Sequence, residues 1–343
     1  MSLSDEAWSA ELDRLPVAGR DVYFTPAYHQ LHATAGEGAP ACALIEDGDR
    51  RLLIPGLRVP IGATGREDFQ TGNGYGGPLG SEAADAAFVE EAWARWREEA
   101  AGERIVAAFF RLHPLVGNER WLPADADVRV DRRTVGLDLG AGTEDLWNQA
   151  RPRHRRKVRS ARRDGRSVQW DRGEDWDAFP ALYGEALERL QAPERLRFPA
   201  PYFEALRALP GAQLAAIRDE AGLAAAAVFL AGPLWYHYHL SARRPGTGND
   251  LTSLLLQEGL ERAGRAGRQA MHVGGGRSAA ADDTLLAFKE SLGGRLLDFK
   301  VAMVVVDRDA YASLVEAWQA ETGRPPEWLL GYRQPKARAM AVR

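Results

Sequence analysis

Residues 212–241 constrain this chain more than any other stretch. The segments "AQLAAIRD", "GLAAAAVFLAG" and "PLWYHYHLSA" read as three strands separated by the tight turns "DEAG" and "GP", which is an antiparallel meander. A glycine-rich loop, "RRPGTGND", follows and opens into the amphipathic helix "LTSLLLQEGLERAGRAG". Then come a strand "AMHVGG", a helix around "TLLAFKESLGG", a long strand "LLDFKVAMVVV" and a closing helix "RDAYASLVEAWQAET". Such a succession belongs to a mixed α/β class in which sheets are flanked by helices.

The part before the meander alternates in the same way. "CALIED" and "RRLLIPGLRV" read as strands around a Gly-Asp turn, and "FQTGNGYGGPLG" is too glycine-rich for a helix and marks a loop. "SEAADAAFVEEAWARWREEA" is a helix opened by a Ser cap, and "RIVAAFFRL" and "TVGLDLG" are strands. After Gly140, "GTEDLWNQARPRHRRKVRSARRDG" reads as two short helices, the second starting near Pro152, a residue tolerated in a first turn. On that second helix His154, Val158 and Ala161 share one face. "SVQW" is then a short strand, and "DWDAFPALYGEALERL" and "PAPYFEALRAL" are helices. With 343 residues the chain exceeds one ordinary core, so two domains are expected, residues 1–150 and 151–343. The last strand and helix are able to return to the first.

Charge is unevenly distributed. Residues 1–150 carry 25 acids against 14 bases, a balance of −11, while the whole chain is −4. The compensating excess is local: Arg151 to Arg166 holds nine Arg or Lys and a single Asp. Nine cations on a short helix repel one another and call for anionic company or heavy solvation. Phosphates are the obvious company, with Arg155, Arg156 and Arg159 as candidate contacts; a solvated face is the other reading.

No apolar run approaches the roughly 20 residues of a membrane span, and the acidic start "MSLSDEAWSAELDRL" lacks the pattern of a secretory signal, so a cytoplasmic protein is expected. Cys42, alone in "ACALIE", reads as a small buried hydrophobe and not as a nucleophile. His237 and His239 alternate with Tyr236 and Tyr238, but no third ligand stands at suitable spacing, so no metal is expected. No Ser nucleophile elbow, Walker loop or dinucleotide fingerprint is present.

Arg243, Gly246 and Gly248 follow a strand and precede a helix, where bare N–H groups and a helix N-terminus can cradle a pyrophosphate, although a tight turn wants the same glycines. His272 ends a strand ahead of three glycines, a place for either a ligand contact or a structural imidazole. Lys289 stands out because only four of the 44 basic residues are lysine. A compact ammonium is suited to places where a planar guanidinium does not fit.

Taken in order, "VYFTPAYHQLH", "GYGGPLG", "RRKVRSARRDG", "FPAPYFEAL", "YHYHLSA", "HVGGG" and "LLAFKESLG" make the chain resemble the Fem-type aminoacyl transferases and their GNAT relatives, over about residues 22–315. The resemblance implies two tandem GNAT-like domains and transfer from aminoacyl-tRNA to a peptidoglycan precursor or related amine. It also implies a Phe-Lys pair, Phe288 and Lys289, near the reacting carbonyl, where the ammonium stabilises the developing oxyanion. Arg197, Tyr202 and Tyr238 are the substrate-contact candidates. The inserted heptad-rich arm of some members is absent.

The expectation is therefore direct attack of an amine on an aminoacyl or acyl carbonyl, with no tightly bound cofactor. Asp282, Asp283, His272 or the substrate itself could take the proton. Two alternatives stand beside it: an acyl-CoA donor with its phosphates at Arg243 to Gly248, and a non-catalytic RNA-binding protein that uses the basic helix alone.

Overall fold

The computed structural model describes residues 2–336 except 249, 279 and 281. The chain divides into two compact units, one formed by residues up to 19, 23–131 and the chain from Phe299 onward, the other by residues 20–22 and 132–298. Residue 150, the expected boundary, lies inside the second unit.

The first unit begins with helices α1 (Asp5–Leu12) and α2 (Pro26–Thr34), each opened by a hydroxyl cap: Ser4 accepts from Ala7 N and Thr25 from Tyr28 N. Strands β1 (Ala39–Asp47) and β2 (Arg50–Pro60) form the hairpin expected around the Gly-Asp turn, in register from Ala39↔Arg58 to Asp47↔Arg50. β3 (Glu67–Gln70), β4 (Leu79–Gly80), helix α3 (Ala86–Gly102) and β5 (Ile105–Arg111) follow. α3 lays Phe88, Trp93 and Trp96 on Ile54, Phe69 and Phe110 to make the core of this unit. Cys42 is buried, and burial pushes its thiol pKa well up, which suits a core residue.

β6 (Asp127–Asp138) carries the chain into the second unit. It starts earlier than "TVGLDLG" suggests, because its first residues, "DVRVDRR", are mostly exposed and lack the apolar signature of a buried strand. Two short helices, α4 (Thr143–Gln149) and α5 (Pro152–Arg163), precede β7 (Gln169–Trp170), α6 (Gly173–Arg189) and α7 (Ala200–Ala208). The meander is β8 (Ala212–Asp219), β9 (Gly222–Ala231) and β10 (Trp235–Arg243). Then come α8 (Asp250–Arg265), β11 (Ala270–Gly275) and α9 (Thr284–Glu290). The strand order in this unit is β6-β11-β10-β9-β8-β7.

Only the β10–β11 pair of that run is parallel, and its ladder covers Trp235↔Ala270 to His237↔His272. Both strands continue beyond that point without pairing to each other. A bulge between Tyr238 and Leu240 interrupts the β10–β9 register at the same place. The chain returns to the first unit through β12 (Arg295–Val305), antiparallel to β5, and α10 (Arg308–Thr322). The end of the described chain is anchored there by Asp68, which accepts from Tyr332 Oη at 2.6 Å and pairs with Arg333.

In the second unit α5 and α8 pack together on the meander. His154, Val158 and Ala161 of α5 are buried, and α8 contributes Leu251, Leu254, Leu255 and Leu260 to the core. Each buried leucine contributes about 1.5–3 kcal/mol. Arg162 also bridges to Glu258 at 2.8 Å and Glu261 at 3.0 Å on α8. That pair is solvent-facing and worth about 1 kcal/mol or less, so the apolar seam decides which face of α5 turns inward.

Candidate active site

The core contacts of α5 leave its other residues to face elsewhere, and Arg153 and Lys157, four apart, face a cavity of about 740 Å³ within the second unit. Arg151, directly before the helix, joins them. Arg189 comes from the end of α6, Arg243 from the end of β10, and Arg277 from the segment after β11. Tyr238, Ser241, Leu190, Leu285 and Phe288 add apolar and hydroxyl surface. No carboxylate is among the described residues that line this cavity.

Lys289 also lines it and is the buried one of the set, 8% exposed. Its position follows from the short helix α9. Asp283 caps that helix, accepting from Leu285 N and Leu286 N at 2.9 Å each, and from Arg277 N at 2.7 Å and Ser278 N at 2.9 Å. The far end is tied to the start of α5, where Arg151 N donates to Ser291 O at 2.9 Å. Lys289 Nζ donates to Gly275 O at the end of β11, at 2.7 Å, and stands 5.8 Å from the centre of the Tyr238 ring. Burial pulls the Lys289 pKa down to about 8, with the Asp283 charge acting in the opposite direction.

Neighbouring groups are tuned by the same surroundings. Lys157 Nζ lies 5.5 Å from the Phe288 ring centre, and burial together with Arg153 and Arg243 lowers its pKa, against a raising effect of Asp250. Burial raises the Tyr238 phenol to about 12, and its hydroxyl donates to Ser241 Oγ. For Asp283, burial works to raise the pKa, but the backbone N–H groups gathered on it outweigh burial and hold it at about 2. A carboxylate so fully engaged is built to stay charged and to cap.

Of the residues singled out in the sequence, Phe288, Lys289, Arg243 and Tyr238 come together in this cavity. Gly246 and Gly248 line a different groove, of about 460 Å³, with Asp164, Asp219 and Asp250. Gly246 takes φ +80°, and a Cβ at Gly248 would lie 2.0 Å from Asp250 Oδ1, so the turn holds one of the chain's own carboxylates closely. Arg243 donates to Thr247 O at 2.6 Å. Arg155, Arg156 and Arg159 do not line the cavity: Arg155 donates to Asn148 O at 3.3 Å, Arg159 lies 5.6 Å over the Trp147 ring, and Arg156 is exposed.

The remaining candidates lie elsewhere. Asp282 is exposed. His272 is buried, its ring 5.9 Å from that of His237, which itself pairs with the buried Asp21 at 2.8 Å. Tyr202 is buried beneath the stacked ring of Phe198, at 3.9 Å, with its hydroxyl 3.0 Å from His239 Nε2. Arg197 is exposed and pairs with Glu194 at 3.2 Å. Arg151, Arg153, Lys157, Arg189 and Arg277 were not singled out from the sequence. The usable signal was Lys157, which shares with Lys289 the rarity of lysine in this chain.

The mixed α/β class that the order of elements implied is the one observed, and it is a fold shared with solved structures. The chain is similar to the crystal structure of FemX, with a TM-score of 0.70, 11% identity and coverage of 91% of this chain and 98% of that one. It is similar to L-PGS from Bacillus licheniformis, with a TM-score of 0.59, 15% identity and coverage of 88% and 92%. A third likeness is to the C-terminal domain of a putative lysylphosphatidylglycerol synthetase from Agrobacterium fabrum, with a TM-score of 0.56, 14% identity and coverage of 91% and 96%. At these identities the likeness is one of fold. No family model and no curated protein matches the chain. No helix among the described residues is long and apolar enough to cross a membrane.

Proposed function

We propose that the second unit transfers an aminoacyl group from aminoacyl-tRNA to an amine, of a peptidoglycan precursor or a related molecule. The observation that carries this reading is a cavity walled by seven cations, with no carboxylate, whose most buried cation is Lys289. The fold shared with FemX supports it. Phosphates of the donor would meet Arg153, Lys157 and Arg243, and its ester carbonyl would meet Lys289. The neutral acceptor amine attacks that carbonyl, the C–N bond forms, and the ribose oxygen departs with a proton.

Lys289 acts electrostatically. An ammonium has three donors, of which one is given to Gly275 O, so others are available to a developing oxyanion. Asp283 is assigned to holding α9, and the acceptor's proton goes to the substrate or solvent. Arg197, Tyr202, His272, Arg155, Arg156 and Arg159 are left with positioning or structural roles.

An acyl-CoA donor is the alternative. The groove at Gly246 and Gly248 weighs against that alternative, because a pyrophosphate there would approach Asp164, Asp219 and Asp250. Binding of labelled aminoacyl-tRNA and of acetyl-CoA, each at two salt concentrations, separates the two. Aminoacyl-tRNA that binds with a steep salt dependence while acetyl-CoA does not bind is the expected result. Binding of acetyl-CoA alone overturns it. RNA binding that survives with no turnover of any donor leaves only the non-catalytic reading.

A further inference from the structure

The four lysines of this chain fall into two kinds. Lys300 Nζ lies 2.8 Å from Glu119 Oε1, and Lys336 Nζ lies 2.6 Å from Glu321 Oε2. Each of these two ammonium groups faces a carboxylate. Lys157 and Lys289 instead line the cavity that has no carboxylate in its wall. Lys289 is the more buried, and its neighbours hold it in place through Gly275 O.

We propose that Lys289 is a self-acylation site, at which small acyl phosphates drawn in by the cationic wall transfer their acyl group to Nζ. The inference rests on the reading of this cavity as an anion-binding donor site. The acyl phosphate is the fitting reagent class, since it joins an electrophilic carbonyl to an anion that Arg153 and Arg243 can receive. The neutral form of Lys289 keeps an N–H for Gly275 O and has a lone pair for attack.

In the step, the Nζ lone pair forms a C–N bond to the acyl carbon while the C–O bond to phosphate breaks. Phosphate leaves with the bonding electrons, and the proton lost from nitrogen passes to it or to water. No oxidant or reductant is needed. The amide product is neutral, so it removes the charge that the transfer reaction requires and leaves the chain inactive. Burial assists, because a pKa of about 8 keeps much more of Lys289 neutral near pH 8 than an ordinary lysine.

The test treats the full chain with acetyl phosphate at pH 8 and follows each lysine by peptide mass spectrometry, with Lys289→Arg as the control for site assignment. Lys289 is expected to acetylate at least about tenfold faster than Lys300 or Lys336, and inorganic pyrophosphate is expected to slow it. Acetylation of Lys289 no faster than that of Lys336 overturns the proposal. So does a rate that pyrophosphate leaves unchanged while calorimetry shows it bound. Pyrophosphate that does not bind at all removes the donor-site reading, and this inference falls with it.

Discussion

Two recesses meet at the turn that follows β10, and their walls differ in charge. Among the described residues, the cavity on the Arg243 side has seven cations and no carboxylate, while the groove from Arg244 to Leu251 has three carboxylates against two guanidiniums. In the groove Arg244 is matched by Asp219, at 2.6 Å. No carboxylate lines the cavity among the described residues, and burial lowers the pKa values of both Lys289 and Lys157. The Gly-x-Gly turn ahead of α8 therefore has carboxylates on one side and cations on the other. Under the proposed function, those charges favour a phosphate on the Arg243 side of the turn.

The largest effect expected from this contrast is at Lys289. Lys289→Met should lower single-turnover transfer by about 100- to 1,000-fold, the usual cost of removing an oxyanion donor, while donor affinity changes by about threefold or less. Lys289→Arg should not restore it, because the planar fork does not reproduce the ammonium's reach to Gly275 O. The active form is the protonated one, so the rate should fall as pH rises through about 8, a limb absent from Lys289→Arg. Loss of donor binding in Lys289→Met would reassign this lysine to the phosphates.

The next effect separates cavity cations from the rest of the basic helix. Arg153→Ala should weaken aminoacyl-tRNA binding about tenfold and reduce the salt slope by about 1, whereas Arg156→Ala, off the cavity, should cost about twofold or less. Equal losses in a filter-binding titration would break the comparison and return weight to the whole basic face.

Asp283→Ala should cost about 1–2 kcal/mol of stability through loss of the α9 cap, read as a lower thermal midpoint. The carboxylate's folded pKa of about 2 lies below its ordinary value, so its contribution is present above about pH 4 and is lost as pH falls through 2. If the variant keeps its stability yet loses turnover, Asp283 serves the reaction as well as the cap. The smallest effect is at the groove: Asp250→Asn should raise its affinity for pyrophosphate about twofold to threefold, measured by calorimetry. A gain equal to the cavity's own affinity would mean that a single carboxylate, not the wall as a whole, excludes phosphate there.

Much of the molecule was legible before the structure. The meander, the amphipathic α8 and the apolar face of α5 were readable because each writes its burial into a local period, two for strands and near 3.6 for helices. Phe288 and Lys289 were found through composition and resemblance. Arg153 and Lys157 could not be separated from Arg155, Arg156 and Arg159, since all five lie outside the apolar stripe and differ only in what the neighbouring elements place opposite them. Tyr202 was readable as a substrate-contact candidate, yet Phe198 stacks on its ring and His239, from β10, meets its hydroxyl, and the His239 contact joins separate elements and so leaves no period.

By itself the sequence determined the element order, the meander, the concentration of positive charge in residues 151–166 and the scarcity of lysine. These are properties of the chain's own periodicity and composition. Tertiary structure alone decided which cations share a wall, that Asp283 would be taken up by the start of α9, and that Asp250 would stand over Gly248. Charge acts through distance and dielectric, and both are set only when separate segments have been brought together.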